Sequence, residues 1–88
     1  PMTETQLLQE FEALAQRLDI HVSREDLEGR PGGFCVIRGE RRFILDRTLH
    51  VSTQVEVFAQ AFAQLPLDDI YIVPRLREYI DGFGESQV

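Results

Sequence analysis

Apolar positions in the second half of the chain recur with the period of a helix. At about 100° per residue, Val55, Phe58, Ala59, Phe62 and Leu65 fall on one stripe and Glu56, Gln60 and Gln64 fall opposite, which predicts an amphipathic helix over residues 52–65. Ser52 can accept from the free amides of its first turn, and Pro66 should stop it by clashing with the preceding turn. Near the start of the chain, Thr3 and Gln6 have the spacing of a capping box. Leu7, Leu8, Phe11, Leu14, Ala15 and Leu18 then form a second stripe, giving a first helix over 4–18.

Between these helices the period changes to two. Ile20-His21-Val22-Ser23-Arg24 alternates as a half-buried strand does, and residues 34–38 and 42–46 are two short apolar-rich strands. Gly39-Glu40-Arg41 is short enough to join the latter two as a hairpin, and Gly29-Arg30-Pro31-Gly32-Gly33 is a loop before them. After Pro66, Asp68-Asp69 caps a turn. Ile70-Tyr71-Ile72-Val73 has strand-forming residues, but the run is so short that a turn is the better expectation. Pro74 opens a last short helix carrying Leu76 and Ile80 inward, with Gly82 as its C′ residue and a flexible tail over 83–88.

These elements predict one α+β domain over residues 2–82 in the order α-β-β-β-α plus a short C-terminal helix. Two helices cover one face of a small antiparallel three-stranded sheet. The expected core is Leu7, Phe11, Leu14, Leu18, Val22, Phe43, Leu45, Val55, Phe58, Phe62, Leu65, Leu76 and Ile80.

At 88 residues and 43% hydrophobic composition, the chain suits one folded domain and is neither disordered nor fibrous. No apolar run approaches the roughly 18 residues that would span a bilayer. Met2 is followed by Thr-Glu-Thr-Gln without a basic start or an apolar region, so no secretory signal is expected and the cytoplasm is the expected compartment. A single cysteine, Cys35, can form neither an internal disulfide nor a thiolate cluster, which fits a reducing compartment.

Charge divides the chain. Residues 1–28 carry two Arg against seven acids, residues 29–47 five Arg against two, and residues 48–88 two Arg against six. The net −6 argues against a protein that mainly coats nucleic acid or an anionic membrane. The middle is nevertheless a basic island. Arg38, Arg41, Arg42 and Arg47, with Arg30, could meet an acidic protein, a symmetric copy or phosphates, or could pair with the chain's own acids. Nucleic acid is the lesser alternative, because the hairpin lacks interleaved aromatics for stacking. Tyr71 and Tyr79, with Val57, are further candidates for a protein contact.

Catalytic signatures are missing: the chain has no HExxH, GxSxG, Walker loop or CxxC. No catalytic residue, cofactor or metal is therefore expected. His21, His50 and Asp46 have types that suit zinc, but nothing in their spacing brings them together.

The run Gly32-Gly33-Phe34-Cys35-Val36-Ile37-Arg38-Gly39, then Arg42-Phe43-Ile44-Leu45-Asp46, then a helix, then Asp69 to Arg77 resembles a group of small uncharacterised bacterial proteins. More loosely, helix, strand, hairpin, helix over residues 7–65 resembles the core of ImmA/IrrE-type zinc peptidases. That resemblance implies HExxH on the helix after the hairpin. Here the inward positions four apart are Phe58 and Phe62, which cannot hold zinc, so no functional residue carries over. The expected function is a non-catalytic protein-interaction module, possible homodimer included. Phosphate or nucleic-acid binding is the alternative and an inactive zincin-like relic a remote one.

Overall fold

A computed structural model describes residues 1–86. The element order is α1 (Glu4–Arg17), β1 (His21–Glu25), β2 (Gly32–Ile37), β3 (Glu40–Asp46), α2 (Val51–Phe62) and α3 (Pro74–Ser86), an α+β fold.

The sheet is mixed, where the sequence suggests an antiparallel one. Its order is β1-β3-β2. β3 runs antiparallel to β2, with Phe34 opposite Phe43, but parallel to β1, with Val22 opposite Phe43. The physical reason lies in composition. β3 places Phe43 and Leu45 fully inside the core and gains most from the centre, whereas β1, with its polar alternation, and β2, which opens on two glycines and leaves Val36 and Ile37 exposed, tolerate an edge. The connection over residues 26–31 must therefore pass over the end of β3. Asp46 holds it there: its buried carboxylate accepts from the Leu27 amide at 2.7 Å, and its own amide donates to the Pro31 carbonyl at 3.1 Å. Thr48 completes the anchor by donating to the same carboxylate from its amide, at 3.1 Å, and from its hydroxyl.

The β2–β3 turn also differs from expectation. Arg38 and Gly39 form it, both with positive φ (52° and 81°), as a two-residue hairpin of the primed type requires, and Glu40 and Arg41 belong to β3.

The helices begin and end for local reasons. Thr3 and Gln6 make the capping box of α1. At α2, His50 and not Ser52 is the N-cap, its ring Nδ1 accepting from the Ser52 amide at 3.2 Å. α2 stops at Phe62, earlier than residue 65, because Pro66 has no N–H to bond the Phe62 carbonyl; the Leu65 amide takes that carbonyl in a tighter turn at 3.1 Å. Residues 70–73 form no strand. Gly82 does not terminate α3, which continues to Ser86. Phe83 packs against the core, and Gly84 passes so near Ala63 that an added Cβ would lie 3.3 Å from the Ala63 Cβ. The tail expected from residue 83 is thus helical through Ser86, and residues 87–88 lie outside the described residues.

The core is an aromatic stack between sheet and helices. Phe11, Phe43, Phe58 and Phe62 are all fully buried, and Phe11 stacks on Phe58 and Phe62 with centroids 5.7 and 5.6 Å apart. Phe43 closes the stack from the sheet side, 4.8 Å from Phe58. Each such ring buries enough area to contribute about 2–3 kcal/mol. Leu18, Val22 and Leu65, expected inside, are only half-buried, and Ala15, Ile20, Ala59, Leu67 and Ile72 complete the core. No helix among the described residues is long and apolar enough to cross a membrane.

Candidate protein-interaction surface

The arginines do not converge. Arg41 and Arg42 are adjacent in β3 and so point to opposite faces of the sheet. On the helix side, the Arg41 guanidinium donates to the Leu18 carbonyl at the C-cap of α1, where a cation complements the helix dipole. On the other side, Arg42 pairs with Glu40 at 2.9 Å. Arg47 follows the far end of β3 and reaches the Arg24 carbonyl at 3.5 Å, and Arg38 occupies the hairpin tip, exposed and without an ion pair among the described residues. Four side chains spread over two faces and both ends of one strand make no continuous cation patch.

The aromatic candidates separate as well. Tyr71 is 70% exposed, next to exposed Val73, on the segment before α3. Tyr79 is half-buried and meets Phe11 edge-on at 6.2 Å, so it closes the core more than it offers a contact. Burial, with Glu56 and Glu4 nearby, pushes its phenol pKa up. Val57, the third candidate, is half-buried against the core on α2.

The His/Asp set is dispersed among structural duties. His50 caps α2, the Asp46 oxygens are taken by Leu27 and Thr48, and His21 is exposed on β1. Among the described residues no group of three or more His, Cys, Asp or Glu side chains could hold a metal ion. Cys35 is half-exposed on β2.

One surface does gather apolar groups, at the β2 edge of the sheet. Val36 is 58% and Ile37 45% exposed, both large aliphatic side chains on one strand. The ladder fixes which backbone groups of β2 face outward. Hydrogen-bonded pairs in an antiparallel ladder alternate, and the bond from the Asp46 amide to the Pro31 carbonyl sets the phase. Pro31, Gly33, Cys35 and Ile37 accordingly face β3, and Gly32, Phe34 and Val36 present their N–H and C=O groups to the free edge.

A depression lies on each side of this edge. On the sheet face away from the helices, Leu27, Arg30, Pro31, Cys35 and Ile44 line a mostly apolar one of about 570 Å³. On the helix side, Phe34, Val57, Ala61 and Leu65, with Gln60 and Gln64 at the rim, line a groove of about 390 Å³ between β2 and α2. Both include residues 31–34, where Gly32 and Gly33 leave no side chain between them.

Sequence reasoning missed this edge because it depends on strand order, a non-local property. One local signal was present: residues 31–37 contain no charge, unlike either other strand. No family model, curated protein or solved structure matches this chain.

Proposed function

We propose that this protein is a non-catalytic, cytoplasmic interaction module that binds another protein along the β2 edge. The observation carrying this reading is the uncharged edge strand, with Val36 and Ile37 exposed beside three residues of outward-facing backbone donors and acceptors. Natural sheets usually blunt a free edge with charge, proline or a covering element, and an unblunted one is a template for pairing. Supporting the non-catalytic part, His50 is engaged as the N-cap of α2, its ring Nδ1 meeting the amide and hydroxyl of Ser52, and Asp46 is engaged in anchoring the crossover. The divergence of Arg38, Arg41, Arg42 and Arg47 removes the support for a phosphate-binding face.

Site-specific photocrosslinking in the native cell tests this reading. A photoreactive phenylalanine analogue replacing Val36 should give a discrete adduct with another protein, and the same group replacing exposed Gln9 on α1 should not. Absence of an adduct at both positions overturns the reading.

A further inference from the structure

We infer that the β2 edge takes an added strand: an extended segment of a partner protein with alternating apolar residues and acidic residues at both ends. The inference rests on the interaction-module reading and names its site and the chemistry of its ligand.

Three independent features of the edge point to an extended ligand. The outward N–H and C=O groups of Gly32, Phe34 and Val36 repeat every second residue, the spacing at which a neighbouring strand supplies complementary groups. An added strand sends alternate side chains to opposite faces of the sheet, and a depression waits on each face. The Leu27–Pro31–Cys35–Ile44 depression receives one set and the Phe34–Val57–Ala61–Leu65 groove the other. Gly32 and Gly33 keep those two spaces clear where they meet the edge.

Charge selects the chemistry of the ends. Arg30, exposed, precedes β2 and lines the open-face depression, and Arg38, exposed and without an ion pair among the described residues, follows β2 at the hairpin tip. A strand laid along residues 32–37 would have one guanidinium at each end, and carboxylates there complement both. The same disposition disfavours a second copy. Full-length antiparallel pairing of two β2 strands sets the Arg30 end of each beside the Arg38 end of the other, and each chain carries net −6.

The test uses the full chain and a synthetic peptide with valine at alternate positions, threonine between, and paired aspartates at both ends. Two twins accompany it: one with arginine ends, and one N-methylated at the backbone nitrogens that would pair. The acidic peptide should shift the amide signals of Gly32, Phe34 and Val36, protect them from hydrogen exchange, and slow alkylation of Cys35 by iodoacetamide. The arginine-ended twin should bind at least about tenfold more weakly at low salt, the gap closing as salt rises, and the methylated twin should lose about tenfold or more. Val36→Pro, which deletes one outward donor at an exposed edge position, should lose a similar factor while Val36→Thr does not. Because the methylated twin alters only the ligand, a fold defect in Val36→Pro leaves the test decisive.

No shift at peptide concentrations on the order of 1 mM overturns the proposal, as does equal binding of acidic and basic peptides. Shifts confined to Tyr71–Val73 overturn this site and leave the interaction reading standing. Self-association that protects Gly32, Phe34 and Val36, seen by sedimentation over a concentration series, overturns the acidic strand in favour of a second copy. An adduct at position 36 with no peptide binding separates failure of this inference from failure of the module.

Discussion

The two edges of this sheet are built to opposite ends. β1 has the sequence His-Val-Ser-Arg-Glu, and Arg24 ties it down: its guanidinium donates to the Gln54 side-chain oxygen at 2.8 and 3.2 Å and pairs with Glu12 at 2.8 Å. One side chain thus fastens an edge strand to both covering helices. β2 has no charged residue, no anchor of that kind, and two exposed aliphatic side chains. A strand with polar alternation needs pins to stay on the sheet and presents little to a partner. A strand held by a tight hairpin to the central β3 needs no pin and can leave its outer edge bare.

The largest expected effect falls where β2 enters the sheet. Gly32 has φ +95°, and an added Cβ would sit 1.9 Å from the Ile44 carbonyl oxygen, a backbone atom that cannot yield without breaking the ladder. Gly32→Ala should therefore cost about 3 kcal/mol or more in urea denaturation. Gly29→Ala, also at positive φ (86°) but with nothing within 4 Å, should cost only about 1 kcal/mol. Equal losses at the two glycines would show that β2 is not locked against β3 as described.

Next comes the β1 pin. Gln54 is buried on α2, accepts both Arg24 bonds, and donates to the Leu49 carbonyl at 2.9 Å. Gln54→Ala should cost about 2 kcal/mol, and hydrogen exchange should quicken at β1 amides more than at β2 amides. Uniform quickening would mean that the pin is not specific to its edge.

A smaller effect, visible through pH, concerns the crossover joining the two edges. The Thr48 hydroxyl, then the Leu27 amide, hold the Asp46 carboxyl below its ordinary value of 3.8. Because the folded pKa is depressed, the stabilisation is fully present above the unfolded value and is lost as pH falls through the folded one. Asp46→Asn should melt lower than the parent at pH 6, and the difference should shrink below about pH 4 as the parent's carboxylate protonates. A difference constant from pH 6 to pH 2.5 would mean that the anchor does not depend on the charge.

The division between legible and illegible features follows the range of the interactions. The Phe58 and Phe62 stripe, the Thr3–Gln6 capping box and the α+β composition are written within a turn or two of chain, and all are found in the fold. The parallel β1–β3 pairing is not, because it is decided by which strand gains most from the centre, a comparison among three segments. The Arg24–Gln54 bond spans thirty residues, and no spacing rule announces it. For the same reason the basic island over residues 29–47, contiguous in sequence, is scattered by the pleat and the hairpin. The bare edge is also invisible until β3 is known to be central.

The smallest effect on stability falls on the edge itself, and it separates folding from recognition. Val36 is more than half exposed and its side chain pairs across the ladder only with Arg41. Val36→Lys should change stability by no more than about 0.5 kcal/mol, since a charge on an edge strand is a common way of ending a sheet. If the contrast between edges holds, that same change should abolish the peptide binding described above, whereas Ser23→Lys on β1, half-buried and on the pinned edge, should leave binding intact. A large loss of stability in Val36→Lys would instead place Val36 among the residues that hold the sheet, and the bare edge would then be explained by folding alone.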